Sequence, residues 1–457
     1  MVARCDRAQA WEAPIAPVGL SALDLACGMP LGQVAGAPPP ALRRDRTLEQ
    51  VVDEMHCRLL AHGPLYVAFT GGRGSTASLA LSVNHARRHG HELPIPVTVR
   101  YPGIFTDAEL RHQERIIAHL RLDRWERVSV AEDLDLVGPL AARVLSRTGA
   151  VWPAHAYTLV PLMERAREGL LTIPTGSSDF FGFWRWAPLA SVLAGRRRPT
   201  ARDLMLLLAS LLPAGWRTRL ALRRGYPPPM PWLRPDAERH ARKLLAARQA
   251  MVPLRFDQAV LTQSTHRCFA VGAQTVQRLA EMTGARVLEH LYEREWLGGF
   301  AAAGGWRGFG TSRELFARLA GHLLPPGALA PPTRADLTPV LFGAYSRGFA
   351  ESWSGGGLDP ELIDAERLRA VWLSERPDAR SACLLQYAWL SERSAQGNPP
   401  PAPPRQAFAG AAEKRGQLGK ARTDGPAGEH PRARARGRRQ RASRLREAAD
   451  RRARRPG

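Results

Sequence analysis

No stretch of this sequence is long and apolar enough to span a bilayer. The most apolar run, Leu204–Leu212, stops at Pro213, far short of the ~20 residues a spanning helix needs. The first ten residues carry Arg4, Asp6 and Arg7 and lack the apolar core of a signal peptide. Cysteine is scarce: Cys5, Cys27, Cys57, Cys268 and Cys383 are scattered, odd in number, and form no Cys-x-x-Cys pair. That pattern argues against a disulfide framework and a zinc knuckle and suits a reducing cytosol. No internal repeat is visible. These absences together read as a cytoplasmic protein without a membrane partner.

What is present is enough chain, 457 residues at 44% hydrophobic composition, to bury one large core or two ordinary ones. The formal net charge is +23, but it is unevenly spread. Residues 401–457 hold 17 Lys/Arg against 5 Asp/Glu, about half of the excess, so the body is only moderately basic. From about Gln396 the composition becomes Pro/Ala/Arg low complexity, expected to be disordered. Three regions follow: an Ala/Pro/Gly-rich extension over 1–45, a folded domain over 46–395, and a basic tail over 396–457.

Thr47 with Gln50 three residues on reads as a capping box, opening a helix with apolar Val51, Val52, Met55, Leu59 and Leu60. Leu65–Phe69 suits a buried parallel strand, Thr70–Thr76 a turn, and Ala77–Arg88 a helix. Pro96–Tyr101 and Arg127–Val130 read as further strands, with a helix over Asp107–Leu120 between them. This alternation predicts an α/β fold with a doubly wound parallel sheet. Leu170–Ile173 precedes a second polar turn, Thr175–Asp179, and beyond residue 185 the pattern becomes a helical region packed on the sheet.

Ligands of open parallel sheets bind at the carboxyl ends of strands. The turn Thr70–Thr76 lies at such an end. Gly71, Gly72 and Gly74 allow close backbone approach, Thr70, Ser75 and Thr76 add hydroxyls, and a helix N-terminus follows. These are parts of a phosphate cradle. It is neither a Walker A loop, since no Lys follows the last glycine, nor a Gly-x-Gly-x-x-Gly fingerprint. An ordinary Gly-rich connection is the competing reading.

Val67–Thr76 resembles the pyrophosphate loop of the asparagine synthetase family, Ser-Gly-Gly-x-Asp-Ser-Ser, with Thr70 for the first Ser, Ser75 and Thr76 for the last two, and Gly74 where the family has Asp. Pro174–Gly182 is similar to the family's Gly-Glu-Gly-Gly-Asp-Glu-x-Phe-Gly: Gly176, Phe181 and Gly182 match, Asp179 stands for the Glu and Ser178 for the Asp. His290–Glu293 resembles its Pro-Phe-Leu-Asp segment. Leu324-Pro325 with Pro332–Asp336 resembles its Leu-Pro and Arg-x-Thr-Lys segments, Arg334 replacing a phosphate-contacting Lys.

The resemblance implies the adenine nucleotide α-hydrolase (pyrophosphate-loop) type of sheet with an added helical region. It further implies an ATP-dependent ligase that adenylates a carboxylate and forms an amide bond, with ATP and Mg²⁺ as cofactors. Thr70, Gly71, Gly72, Gly74, Ser75, Thr76, Val99, Gly176 and Ser177 would hold nucleotide, Asp179 metal, and Arg334 and Glu293 would be catalytic. Glu293 reads equally well as an exposed acid at a helix start. Met1-Val2 offers no nucleophilic Cys for a glutaminase, which resembles the β-lactam synthetase and lasso-peptide cyclase branches, where a carboxylate and an internal amine close a ring. The partners expected are a carboxylate substrate, an amine donor and a protein of the same pathway. Because Gly74 and Ser178 remove two carboxylates, a nucleotide-binding relic without turnover is the alternative, and a non-specific nucleic-acid binder acting through the tail is a more distant one.

His85 and His89, four apart, have metal-ligand spacing. Basic neighbours and the lack of a third ligand nearby in sequence favour a solvated face. The aromatic cluster Phe180, Phe181, Phe183, Trp184 and Trp186 reads as core packing beside the site.

Overall fold

Strand β1 (Leu65–Ala68) is buried at every position because both of its faces are covered. Tyr66 and Ala68 pack into one apolar cluster with Ile95, Val97 and Leu171; Leu65, Val67 and the following Phe69 pack into a second on the opposite face. The alternation follows from the two-residue period of a strand. Each fully buried side chain such as Val67 contributes about 1.5–3 kcal/mol.

The computed structural model describes residues 19–101, 105–130, 134–174, 184–289, 293–331 and 337–396, which form part of one compact unit. Among them, helices α1 (Ala22–Cys27), α2 (Leu48–Leu60), α3 (Arg73–His89), α4 (Asp107–His119), α5 (Pro139–Thr148) and α6 (Val160–Arg165) intersperse with β1, β2 (Ile95–Arg100), β3 (Glu126–Ser129) and β4 (Leu170–Thr172). Helices α7 (Ala187–Leu193), α8 (Ala201–Leu211), α9 (Ala214–Arg223), α10 (Pro235–Ala250), α11 (Phe256–Ser264) and α12 (Arg267–Thr283) lead to β5 (Arg286–Leu288). Then come α13 (Arg294–Gly304), α14 (Ser312–Ala320), α15 (Thr338–Leu341), α16 (Ala344–Ser352), α17 (Ala365–Leu373) and α18 (Ala382–Gln396).

The sheet has five strands in the order β3-β2-β1-β4-β5, and every pair is parallel. Helices α2, α3, α4 and α13 supply the cluster on one face; α5, α6 and α18 supply the other. This is an α/β sandwich compatible with a doubly wound fold. The capping box at Thr47 and Gln50 forms as expected, with both reciprocal hydrogen bonds.

Four expectations need correction. The helix after β1 begins at Arg73 rather than Ala77, so Gly74, Ser75 and Thr76 belong to its first turn. Strand β5 gave no usable signal in the sequence, being three residues long with an exposed Arg286. The region beyond residue 185 is not packed throughout: in α9 no residue is buried, and in α8 only Asp203 and Ala209 are. Of the cysteines, Cys27, Cys268 and Cys383 are free and buried, while Cys57 is disulfide-bonded, which the reading of a reducing environment without a disulfide framework did not anticipate. From Gly19 onward the N-terminal region is packed, with Leu25, Ala26 and Cys27 in the core and Asp24 bonded to Leu31 and Arg267. No described helix is long and apolar enough to cross a membrane.

Candidate functional site

In the strand order, β2 flanks β1 on one side and β4 on the other. The chain leaves β1 toward β2 and leaves β4 toward β5, so the two connections diverge and open a crevice at the carboxyl edge between β1 and β4. Val67 stands opposite Thr172 in register, so the bend after β1 and the segment after β4 start from neighbouring strand ends. The second bend, with Gly176, Ser177, Ser178, Asp179 and Phe181, lies outside the described residues, as does Arg334.

The first bend is shaped by its own side chains. The Ser75 hydroxyl donates to the Gly72 carbonyl (3.1 Å), accepts from the Thr70 amide (3.2 Å) and contacts the Thr70 hydroxyl (3.2 Å). The Thr70 hydroxyl accepts from the Gly72 amide (3.3 Å). Ser75 and Thr70, read from the sequence as donors to a ligand, therefore spend these bonds on the turn itself. Gly71 sits at φ +73°, left-handed, which a side chain rarely adopts.

With Gly72 as its N-cap, α3 has no side-chain cap, whereas α2, α4 and α14 each carry a capping box. The amides of Arg73, Gly74 and Ser75 occupy the first helical positions and have no intrahelical partner. They add the positive end of a 17-residue helix dipole to the carboxyl edge of the sheet. Thr76 is fully buried, and its hydroxyl has no hydrogen-bond partner among the described residues.

Helix α4 buttresses the bend from outside. Gln113 donates from Nε2 to the Thr70 carbonyl (3.0 Å), and a Cβ on Gly71 would come within 2.9 Å of Gln113 Cγ. His112, beside it, is 7% exposed; burial first, and Arg115 next, push its pKa below the ordinary range, so the ring is neutral. The Arg73 side chain turns to the Leu329 carbonyl (3.1 Å) and the Ser312 hydroxyl (3.3 Å), leaving its backbone amide at the helix end.

Two residues that the sequence reading missed stand at the tips of the strands that flank the central pair, β2 beside β1 and β5 beside β4. Arg100 closes β2, directly after the half-buried Val99. Arg100 is half-buried; its Nε and Nη2 are shielded from solvent with no hydrogen-bond partner among the described residues, and its guanidinium lies 5.4 Å from the Trp125 ring centre. Shielded, unpaired N–H groups of a cation are costly and are relieved by an anion. Glu289 follows β5, whose last carbonyl, Leu288, accepts from the Ile173 amide (3.3 Å) and the Thr172 hydroxyl (3.2 Å). Burial pushes the Glu289 carboxyl up to about 7. The usable signal for Arg100 was a charged side chain at the last position of an apolar strand; Glu289 had none, because β5 itself left none.

Glu293 pairs with Arg58 of α2 at 3.9 Å and lines a small cavity with Arg43, Arg46 and Trp296. The residues the structure does bring together are Thr70–Thr76 with Gln113 and His112 from α4, set at the edge that also carries Arg100 and Glu289. This arrangement suits an anion such as a phosphate: backbone donors, a helix dipole, a half-buried cation and one proton-sharing carboxyl group.

No protein-family model matches the chain, and no curated protein matches it.

Proposed function

We propose that the chain is a nucleotide-dependent ligase that adenylates a carboxylate and passes the acyl group to an amine. One observation carries the reading: an uncapped helix N-terminus, preceded by a left-handed glycine, stands at the crevice between two central parallel strands. That position and that donor set suit a polyphosphate. The motif resemblance from Val67 to Asp336 supplies the reaction class.

The uncapped end of α3 supports a site for the phosphates of ATP. The amides of Arg73, Gly74 and Ser75 would hold the departing pyrophosphate, and the Arg100 guanidinium would neutralise negative charge. The substrate carboxylate oxygen attacks the α-phosphorus, the bond to the bridging oxygen breaks, and the amine then displaces AMP from the acyl carbon. Donors fixed before the reaction stabilise the leaving charge without reorganisation, an effect worth several kcal/mol of barrier. Magnesium fits less fully: Gly74 supplies no carboxylate, so Asp179 would be the side chain that ligates the ion, whose chemistry is charge neutralisation on the leaving group. Glu289, at about 7, is suited to accept the proton of an incoming amine.

ATP–pyrophosphate exchange with a panel of carboxylates tests the reading. Carboxylate-dependent exchange is the expected result. ATP binding with no exchange for any carboxylate would instead favour a nucleotide-binding relative that has lost turnover, the reading that Gly74 and Ser178 keep open.

A further inference from the structure

The reason for setting His85 and His89 aside as metal ligands, the want of a third ligand, is removed by the fold. Asp53, on α2, meets both: its carboxylate lies 2.8 Å from His85 Nδ1 and 3.8 Å from His89 Nε2. One ligand atom from each of the three lies within 4.8 Å of the others. The two imidazoles stack at 4.3 Å, and His91, just past the helix end, lies 6.1 Å from His85. We propose that Asp53, His85 and His89 form a site for a divalent transition metal such as zinc or cobalt, clamping α2 to α3, with His91 in reach as a fourth ligand. Nitrogen and carboxylate donors suit these ions. His85 is 3% exposed and turns Nδ1 to the Asp53 carboxylate, so a bound ion would take the place of that one hydrogen bond. Arg88, 3.3 Å from Asp53, is the competing cation; its side chain is 59% exposed and can swing into water.

Titrating the full-length chain with Co²⁺ while recording visible absorption tests the site. One saturating equivalent with ligand-field bands is expected, lost in Asp53→Asn and His89→Ala, kept in His240→Ala, and tightened in Arg88→Ala. Absence of bands in the intact chain, or bands unchanged in both Asp53→Asn and His89→Ala, overturns it.

A separate observation concerns α8 and α9. On α8, Leu204, Leu207, Leu208 and Leu211 recur at the spacing of one helix face, yet they are 58%, 41%, 52% and 76% exposed. Met205 and, on α9, Trp216 are 48% and 60% exposed. The same stretch, residues 193–226, holds eight arginines against one acid, Asp203, which is buried and paired with Arg197. Trp216, Arg219 and Arg223 share a face of α9, and Arg219 lies over the Trp216 ring.

An apolar stripe with exposed arginines beside it needs a partner that is both oily and negative. A second copy of this surface would bring like charge to like. We infer that α8 and α9 lie on the surface of an anionic bilayer, leucines in the acyl boundary and arginines among the headgroups. This is surface binding, distinct from spanning.

Co-sedimentation of the full-length chain with phosphatidylglycerol vesicles, against phosphatidylcholine vesicles, tests this. The basic tail also attracts anionic lipid, so the deciding comparison is Leu207→Ser with Leu211→Ser in the same chain. These positions are exposed, so the fold is unaffected. The expected result is a bound fraction of wild-type protein that persists at high salt and is lost in the double variant. Equal binding of both, or no binding of either, overturns the inference. So does a size-exclusion shift from dimer to monomer in the double variant without lipid, which would show a second copy as the occupant.

Discussion

The side-chain amide of Gln113 donates to the main-chain carbonyl of Thr70 across 3.0 Å. One helix thus holds the backbone of the bend that opens another, and Gly71 is squeezed between them. Gly71→Ala should cost about 1–2 kcal/mol for the left-handed conformation alone, with more from the contact to Gln113. Gln113→Leu should cost about 1 kcal/mol from the lost hydrogen bond. Urea unfolding with circular dichroism measures both.

Arg100 predicts a trade between stability and binding. Arg100→Met removes a half-buried charge with two shielded, unpartnered nitrogens and keeps the stem, so the free protein should be as stable or more stable. Affinity for ATP should fall by about tenfold or more, the loss of one charge-assisted contact. Thermal unfolding with and without ATP separates the two effects.

Glu289 predicts a pH dependence. Its folded-state value, about 7, lies above the ordinary 4.5, so folding favours the protonated form. Its contribution is present in full below the ordinary value and is lost as pH rises through about 7. Glu289→Gln should therefore be more stable than wild type at pH 8, by on the order of 1–3 kcal/mol, and should match it at pH 4. Denaturant midpoints at the two pH values check this. If Glu289 accepts the amine proton, the same variant loses the amide-forming step while keeping pyrophosphate exchange.

Gly74→Asp restores the carboxylate that the resembled family carries at this place in the bend. At a helix N-terminus the added charge is also favourable to the fold, by about 0.3–1 kcal/mol. ATP affinity should become dependent on Mg²⁺, with binding weakened in its absence by repulsion from the phosphates. Calorimetry with and without EDTA gives the answer.

Sequence periodicity was sufficient for the central strands because β1 reads as an unbroken apolar run and β2 and β4 are largely apolar, with a buried threonine in each. It failed at β5, where three residues carry too little pattern, and at the start of α3, where Gly72 rather than a polar side chain is the cap. The bend itself was legible from its glycines and hydroxyls. Its buttress was not: Gln113 is 43 residues from Thr70 in sequence, and nothing local marks it. Asp53, 32 residues from His85, was hidden for the same reason. Hydrophobic spacing also misplaced α8, because a leucine stripe specifies a face to be covered and says nothing of what covers it.

Equilibrium binding of ATP to the full-length chain, repeated with Gly71→Ala and at two salt concentrations, bears most directly on the bend as a phosphate site. The account predicts saturable one-to-one binding, competed by pyrophosphate, little changed by moderate salt and weakened about tenfold or more by the alanine. Binding that Gly71→Ala leaves intact and that moderate salt abolishes would place the nucleotide on the basic tail and contradict it.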